Sequence, residues 1–164
     1  MQASWSKWAP MPLRLVIGFG MVYHGYPKVF SGQGHEMFVG MLQGIGIPAA
    51  GLMAWVVGIV EFLGGLAIIA GAFVSVVSVL LIIDMLVAVF VVHLPVGFSF
   101  MNITGMTDAG PQFGMPGYEV PLLYIAGLLA LLLRGPTHMS VDAKLAEKKA
   151  ALPTDSFEED PAQD

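Results

Sequence analysis

Four long apolar stretches, separated by more polar connections, dominate the pattern of this chain. They cover residues 12–30, 48–70, 72–94 and 118–134. A helix needs about 20 apolar residues to cross a hydrocarbon core of about 30 Å, so we predict four transmembrane helices. The last stretch has only 14 uncharged residues between Glu119 and Arg134, so its ends must snorkel or be covered by protein. The short turn at Gly71 makes the second and third helices antiparallel neighbours, and we predict an all-α, antiparallel four-helix bundle.

The connections divide the chain into a transmembrane domain, residues 12–134, and two flanking segments. Residues 1–11 form an N-terminal interfacial segment whose Trp5 and Trp8 are typical headgroup anchors. Residues 135–164 form a polar, acidic C-terminal tail, which we expect to be disordered apart from a helix near 141–151.

The two connections inside the domain differ in character. The glycine-rich residues 31–47 place Met37, Phe38 and Met41 at helical spacing, which predicts a short interfacial helix. Residues 95–117 form a long loop rich in Gly, Pro, Met and Phe without Lys or Arg.

Composition agrees with a membrane protein and excludes several functions. Hydrophobic residues make up 56% of the chain and charged residues 12%, and the mean hydropathy is +0.76. The net charge of -5, without a basic face, gives no nucleic-acid footprint. The chain has no cysteine, so thiolate nucleophiles, thiolate-bound metals and covalently attached haem are excluded.

Basic residues predict the orientation in the membrane. Six of the seven Lys and Arg residues flank the N- and C-terminal ends, and Lys28 is the exception. Basic residues are concentrated on the cytoplasmic side. We therefore predict a multi-pass protein of the plasma (inner) membrane with both termini in the cytoplasm and residues 31–47 and 95–117 outside.

Two carboxylic residues lie in the middle of apolar stretches, Glu61 in the second and Asp84 in the third. Placing a carboxylate at this depth costs about 2.5–3.5 kcal/mol. Because the two helices are antiparallel neighbours, the carboxyls can lie close together and form a proton-carrying pair or the floor of a polar pocket. The alternative is that each only bonds a polar group on a neighbouring helix.

A second polar group is expected at the outer ends of the helices. His24, Lys28, His93 and Glu119 all fall in the same half of the predicted bundle. Lys28 can pair with Glu119 or with an anionic substrate, and the histidines can hold a ligand carbonyl, a quinone or a metal. Haem between His24 and His93 is disfavoured, because lone histidines are more often hydrogen-bonded interior residues. No HxxxH or HxH spacing supports zinc, so we predict no metal site.

A series of short motifs resembles the DoxX family of small membrane proteins, in order, over about residues 12–142. The motifs are RLVIG at 14–18, HGYPKVF at 24–30, EFLGG at 61–65, HLPVGF at 93–98, YEVPLL at 118–123, GP at 135–136 and SVD at 140–142. The sequence departs from the family pattern at Tyr26-Pro27, before Lys28, and at Asp84, a position that is usually apolar.

The resemblance implies a four-helix membrane bundle. It also implies an association with quinone-linked oxidoreductases, such as thiosulfate:quinone oxidoreductase, which is a property of some members. The motif residues carried over by position are Arg14, His24, Lys28, Glu61, His93 and Glu119.

The leading hypothesis is an integral membrane subunit of a quinone-linked oxidoreductase complex, with a quinone or small substrate in a polar pocket. Whether the chain is itself catalytic stays open. We expect Glu61 and His24 to have catalytic roles, and the substrate-binding residues to be Arg14, Lys28, Asp84, His93 and Glu119. The alternatives are a non-catalytic scaffold subunit, or a small-solute or proton transporter, which the lack of an internal repeat disfavours. The expected partners are the lipid bilayer and other membrane subunits or a second copy of the chain.

Overall fold

A computed structural model of the protein describes residues 8–135 and 139–151. Trp5, in the predicted interfacial segment, and the end of the tail after residue 151 lie outside the described residues. The helices, in chain order, are α1 (Pro10–Phe30), α2 (Gly32–Gly44), α3 (Ala50–Ala70), α4 (Val74–Val87), α5 (Glu119–Arg134) and α6 (Val141–Ala150). α4 continues without a break through a π-helical segment, Ala88–His93, and a 3-10 turn, Leu94–Val96.

The four predicted helices are present with nearly the predicted bounds, and α2 confirms the short helix in the first connection. Two segments, Ala50–Ala70 and Val74–Val96, are long and apolar enough to cross a membrane by length and composition. α5 has 16 residues, as its short apolar stretch predicted.

The second long connection is more ordered than predicted. Strands β1 (Ile103–Thr107) and β2 (Gly110–Phe113) form an antiparallel hairpin in which Thr107 pairs with Gly110 and Ile103 with Phe113. A two-residue turn at Asp108 and Ala109 joins the strands, a connection length that favours hairpins. The expected loop is therefore partly a β-hairpin.

Helices α1 and α3 pack antiparallel at unusually close range. Gly18 of α1 lies against Gly65 of α3, and Gly25 lies against Gly58 and Phe62. A Cβ atom on Gly25 would lie 2.5 Å from the backbone nitrogen of Phe62. Small residues let helix backbones approach in this way, so these glycines determine the separation of the two helices.

The core lies between α1, α3, α4 and α5, whereas much of the outer surface is apolar. Large exposed side chains such as Val16 (70% exposed) and Leu133 (84% exposed) point away from the bundle. A lipid environment explains this surface, because acyl chains replace water around it. The fully buried large apolar side chains of the core are Met21, Ile68, Leu81, Leu128 and Leu131.

We call the end of the bundle that holds residues 71–73 and 139–151 the tail end, and the end that holds α2 and residues 97–118 the loop end. At the tail end, Arg14 is 3% exposed, and its guanidinium donates hydrogen bonds to the carbonyls of Ile68 (3.0 Å) and Ile69 (2.6 Å). These carbonyls belong to the last turn of α3, where the usual N–H donor four residues further on is missing. The Ile68 carbonyl also accepts a hydrogen bond from the backbone nitrogen of Gly71 (3.1 Å).

Asp142 bonds the other half of the turn between α3 and α4, at the start of α4. Its carboxylate accepts hydrogen bonds from the backbone nitrogens of Phe73 (2.7 Å) and Val74 (2.9 Å), where α4 begins. Its own backbone nitrogen donates to the carbonyl of Gly71. Asp142, at the start of the predicted tail helix, therefore supplies hydrogen-bond partners to the α3–α4 turn. The predicted tail helix is confirmed as α6.

We expect Asp142→Ala to lower the free energy of unfolding by about 1–2 kcal/mol, because loss of a carboxylate cap leaves two backbone donors unpaired. Thermal unfolding in detergent, followed by circular dichroism, measures the effect. Glu147→Ala is the control, since it removes the same charge from an exposed position of α6. Equal melting temperatures for the two variants would contradict the capping role.

Candidate functional site

A cavity of about 450 Å³ lies inside the loop-end half of the bundle. Its walls come from α1, α3, α4 and α5, and residues of α2 and of the segment before α5 also line it. The volume falls within the range of ligand pockets, about 300–1,000 Å³. Five of the seven predicted site residues line this cavity: His24, Lys28, Glu61, Asp84 and His93.

An ion pair between Lys28 and Glu61 joins α1 to α3 in the cavity wall. The Lys28 Nζ lies 2.5 Å from the Glu61 Oε2, and the two side chains are 16% and 5% exposed. The ammonium also lies 4.3 Å from the centre of the Phe38 ring of α2, a cation–π contact. The predicted pairing of Lys28 with Glu119 is therefore wrong, because Glu61 lies on the helix that packs directly on α1.

Asp84 of α4 is the third member of this charged group. Its carboxyl is close enough to that of Glu61 for the two to interact directly, and it also experiences the charge of Lys28. The structure thus brings together the two carboxylic residues that the sequence placed on neighbouring helices. The Asp84 Oδ2 is buried and has no hydrogen-bond partner in the described part of the chain. One ammonium therefore faces two carboxyls in a mostly apolar cavity.

The two histidines reach the cavity from different helices. His24 lies on α1, one turn before Lys28. His93 ends the π-helical segment, and its Nδ1 lies 2.7 Å from the carbonyl oxygen of Pro116. This bond ties the end of α4 to the segment that leads into α5. π-Helical segments are rare and frequently occur at functional sites, and no feature of the sequence predicted this one.

Two predicted substrate-binding residues do not line the cavity. Arg14 caps the end of α3 at the tail end, as described above. Glu119, at the start of α5, accepts a hydrogen bond from the backbone nitrogen of Phe100 (2.9 Å). Phe100 itself lines the cavity, so Glu119 contributes by holding this part of the connection. The sequence predicted neither partner, because both residues bond backbone groups exposed by turns.

Sequence reasoning missed one polar residue of the cavity, Tyr124 of α5. Its hydroxyl packs against Gly20 of α1 so closely that a Cβ atom there would collide with it. A tyrosine in an apolar helix is easily taken for a packing residue. The available signal was its position about one and a half turns inside α5, away from the headgroup region where membrane tyrosines are usually found.

Metal ligation finds no support in the described part of the chain, where no three His, Asp or Glu side chains are grouped so that they could hold a metal ion. His35 of α2 makes contacts within the bundle instead. Its Nδ1 lies 2.8 Å from the Lys28 carbonyl oxygen, and its ring packs on Trp55 with centroids 4.5 Å apart. These contacts hold α2 against α1 and α3.

The fold and the cavity define a helical membrane protein with ionisable groups inside its bundle. Residues 9–94, slightly more than half of the chain, match the model of the DoxX family, and the chain belongs to this family. It is also 30% identical, over 144 residues, to the uncharacterized membrane protein Rv3486 of Mycobacterium tuberculosis, an alignment that covers 85% of this chain and 82% of that protein. No solved structure shows significant similarity to the chain.

We expect Lys28→Met to lower the free energy of unfolding by about 3–5 kcal/mol, because it leaves two buried carboxyls without a cation. The double variant Lys28→Met, Glu61→Gln should recover a large part of this loss, because it removes both charges of the pair. Thermal unfolding of the wild type, the single variants and the double variant in detergent measures the interaction free energy between Lys28 and Glu61.

Lys144→Met, which removes an exposed ammonium of α6, is the matched control and should leave stability nearly unchanged. Additive losses in the double variant would show that the ion pair does not contribute as a unit.

Proposed function

We propose that this protein is a membrane component of a quinone-linked oxidoreductase complex and that it binds a quinone-type ring in the cavity. The observation that supports the proposal most strongly is the convergence of five ionisable side chains from three helices on one cavity with otherwise apolar walls. Ligand pockets typically combine such apolar walls with a few polar groups that fix orientation.

The cavity fits the chemistry of such a ring. Apolar side chains, among them Met21, Val57 and Val120, provide surface for the ring and its substituents. Lys28 and Tyr124 can donate hydrogen bonds to ring oxygens, and the imidazoles and carboxyls can accept them. A bound quinone would supply two-electron, two-proton redox chemistry, and in this proposal Glu61 and Asp84 hold or transfer protons beside it.

The proposed topology has four membrane spans and both termini in the cytoplasm. The tail end holds Arg14, Arg134 and the lysines of α6, whereas Lys28 is paired with Glu61 near the loop end. A concentration of basic residues at one end favours the cytoplasmic side for that end. We also propose the plasma (inner) membrane as the location.

A partner subunit is part of this proposal. The chain has no cysteine, so it has no redox-active disulfide with which to exchange electrons. We therefore assign this chain the binding and protonation of the ring, and we assign the exchange of electrons to another subunit of the complex.

A scaffold role is the second candidate, and the Lys28–Glu61 pair is the observation that favours it. Ionisable groups in membrane bundles often serve to fix helix packing, and this pair joins the two most closely packed helices. A pure scaffold predicts that the cavity binds no ring ligand, which separates it from the first proposal.

Filling the cavity provides the direct test. Ala88 of α4 lines the cavity, so Ala88→Phe should occupy the ring site and weaken binding of tetramethyl-para-benzoquinone about tenfold or more. Equilibrium binding to the full chain in lipid nanodiscs measures this. Ala126→Phe, at an exposed position of α5, adds the same side chain outside the cavity and should bind as the wild type does. Absence of saturable binding in the wild type, or equal binding by both variants, would contradict a ring site in this cavity.

A further inference from the structure

We propose that the β-hairpin of the loop end is a membrane-surface element, whose apolar face contacts lipid at the boundary between headgroups and acyl chains. This face lies outside the cavity, and its contact with lipid is independent of the proposed function. The register of the two strands, the exposure of one face and the open edges of the hairpin support the assignment.

A β-bulge gives the hairpin two chemically different faces. Ile103 pairs with Phe113 and Met106 pairs with Pro111, and the register shifts between Ile103 and Gly105. Side chains alternate between the faces of a strand, so Ile103 and Met106, three residues apart, would lie on opposite faces of a regular ladder. The extra residue of the bulge brings them to the same face. One face therefore carries four apolar side chains, those of Ile103, Met106, Pro111 and Phe113.

The opposite face of the hairpin is polar. The Gln112 Oε1 lies 3.3 Å from the place that a Cβ atom of Gly105 would take, so Gln112 and the bulge share this face. The Thr104 hydroxyl donates to the Gln112 carbonyl oxygen (3.4 Å), and the Thr107 hydroxyl donates to the carbonyl oxygen of Gly110 (3.0 Å). The hairpin is therefore amphipathic.

The apolar face is largely uncovered by protein within the described part of the chain. Ile103, Met106 and Phe113 are 52%, 76% and 60% exposed, and the two strands pack mainly on each other. Contiguous exposed apolar side chains of this kind mark contact sites for membranes or for other proteins.

Lipid is the occupant that fits this face. Large exposed apolar side chains continue along the chain from the outer surface of the bundle towards the hairpin, through Phe90, Leu94 and Phe98. Residues 95–117 contain no Lys or Arg, and Asp108 at the turn is their one acidic residue. A face without charge offers a partner protein no ion pair, whereas contact with acyl chains requires only apolar surface.

The backbone limits how deeply the hairpin can lie in the membrane. A hairpin of two strands has two open edges, where N–H and C=O groups have no partner strand. The hydrocarbon core cannot satisfy these groups, whereas headgroups and water can. The edges and the polar face therefore stay at the level of the headgroups, and only the apolar side chains reach the acyl chains.

The hairpin is continuous with one wall of the cavity. Phe100 and Met115, which flank the strands, both line the cavity. The Asn102 side chain donates to the Met115 carbonyl oxygen (3.0 Å), and the backbone nitrogen of Gly114 donates to the Asn102 carbonyl oxygen (2.8 Å). Contact between the hairpin and lipid therefore fixes the level of this wall relative to the membrane surface.

Site-directed spin labelling tests the assignment, and the chain has no cysteine, so an introduced Cys is the single labelled position. Met106→Cys, Phe113→Cys and Gln112→Cys carry a nitroxide in the full chain in phosphatidylcholine nanodiscs. Collision of each label with oxygen, which concentrates among acyl chains, is compared with collision with a water-soluble nickel complex. Leu133→Cys, on the outer surface of the bundle, is the lipid reference, and Glu147→Cys, on α6, is the aqueous reference.

We expect the ratio of oxygen to nickel collision rates at Met106 and Phe113 to lie several-fold above the Glu147 value and to approach the Leu133 value. The ratio at Gln112 should stay near the aqueous reference, because this side chain lies on the polar face. Added salt should leave all ratios unchanged, because salt screens contacts between charges and this contact has none.

Aqueous ratios at both Met106 and Phe113, or equal ratios on the two faces, would overturn the proposal. Protection of both positions from both reagents would also overturn it, because protein would then cover the face, and spin–spin distances between chains would identify a second copy. Ile103→Cys replaces either position if that variant does not fold. Binding of tetramethyl-para-benzoquinone to the cavity can persist in every case, so failure of this proposal is distinguishable from failure of the proposed function.

Discussion

The buried pairing of Lys28 with Glu61 is the interaction on which the architecture of this protein depends. Two charges held in an apolar bundle stabilise the fold only when they stay in contact, so α1 and α3 must remain close and in one register. Glycines at the contact make that approach sterically possible. The position of this pair along the bundle also determines where other polar side chains can be accommodated. Asp84, His24 and Tyr124 line the cavity around it.

At both ends of the bundle, the backbone groups of the turns need hydrogen-bond partners, and the two ends supply them differently. Backbone groups released at a turn need partners, because the interior of a bilayer supplies none. At the tail end, Arg14 and Asp142 provide them for the turn between α3 and α4. At the loop end, α2 and residues 97–118 extend over the helices, with Glu119 and His93 bonding to that segment. The tail end is therefore closed by these hydrogen bonds, whereas the loop end contains a partly open cavity.

Much of this arrangement could be predicted from the sequence, because the lengths of the apolar stretches and the positions of charged residues within them indicate where whole helices lie. The four long helices, α2 and the grouping of Glu61 with Asp84 follow from such patterns. The partners of Arg14 and Glu119 do not, because they are backbone groups whose direction depends on the turns at residues 71–73 and 98–100. Lys28 pairs with Glu61 rather than with Glu119 because α3 is the helix that packs on α1. The hydrophobic periodicity of the sequence does not specify which helices pack together. The β-hairpin and the π-helical segment before His93 likewise carry weak sequence signals.

The central claim is that the charged cavity of this DoxX family protein is a binding site for a quinone-class ring and not only a set of packing contacts. Native mass spectrometry of the protein, extracted gently from its own membrane, tests this most directly. We predict one quinone-class molecule per chain, released when the extracted protein is unfolded. A wild-type protein that carries lipid but no quinone or hydroquinone, while still assembled with its partner subunits, would contradict the claim and favour the scaffold role.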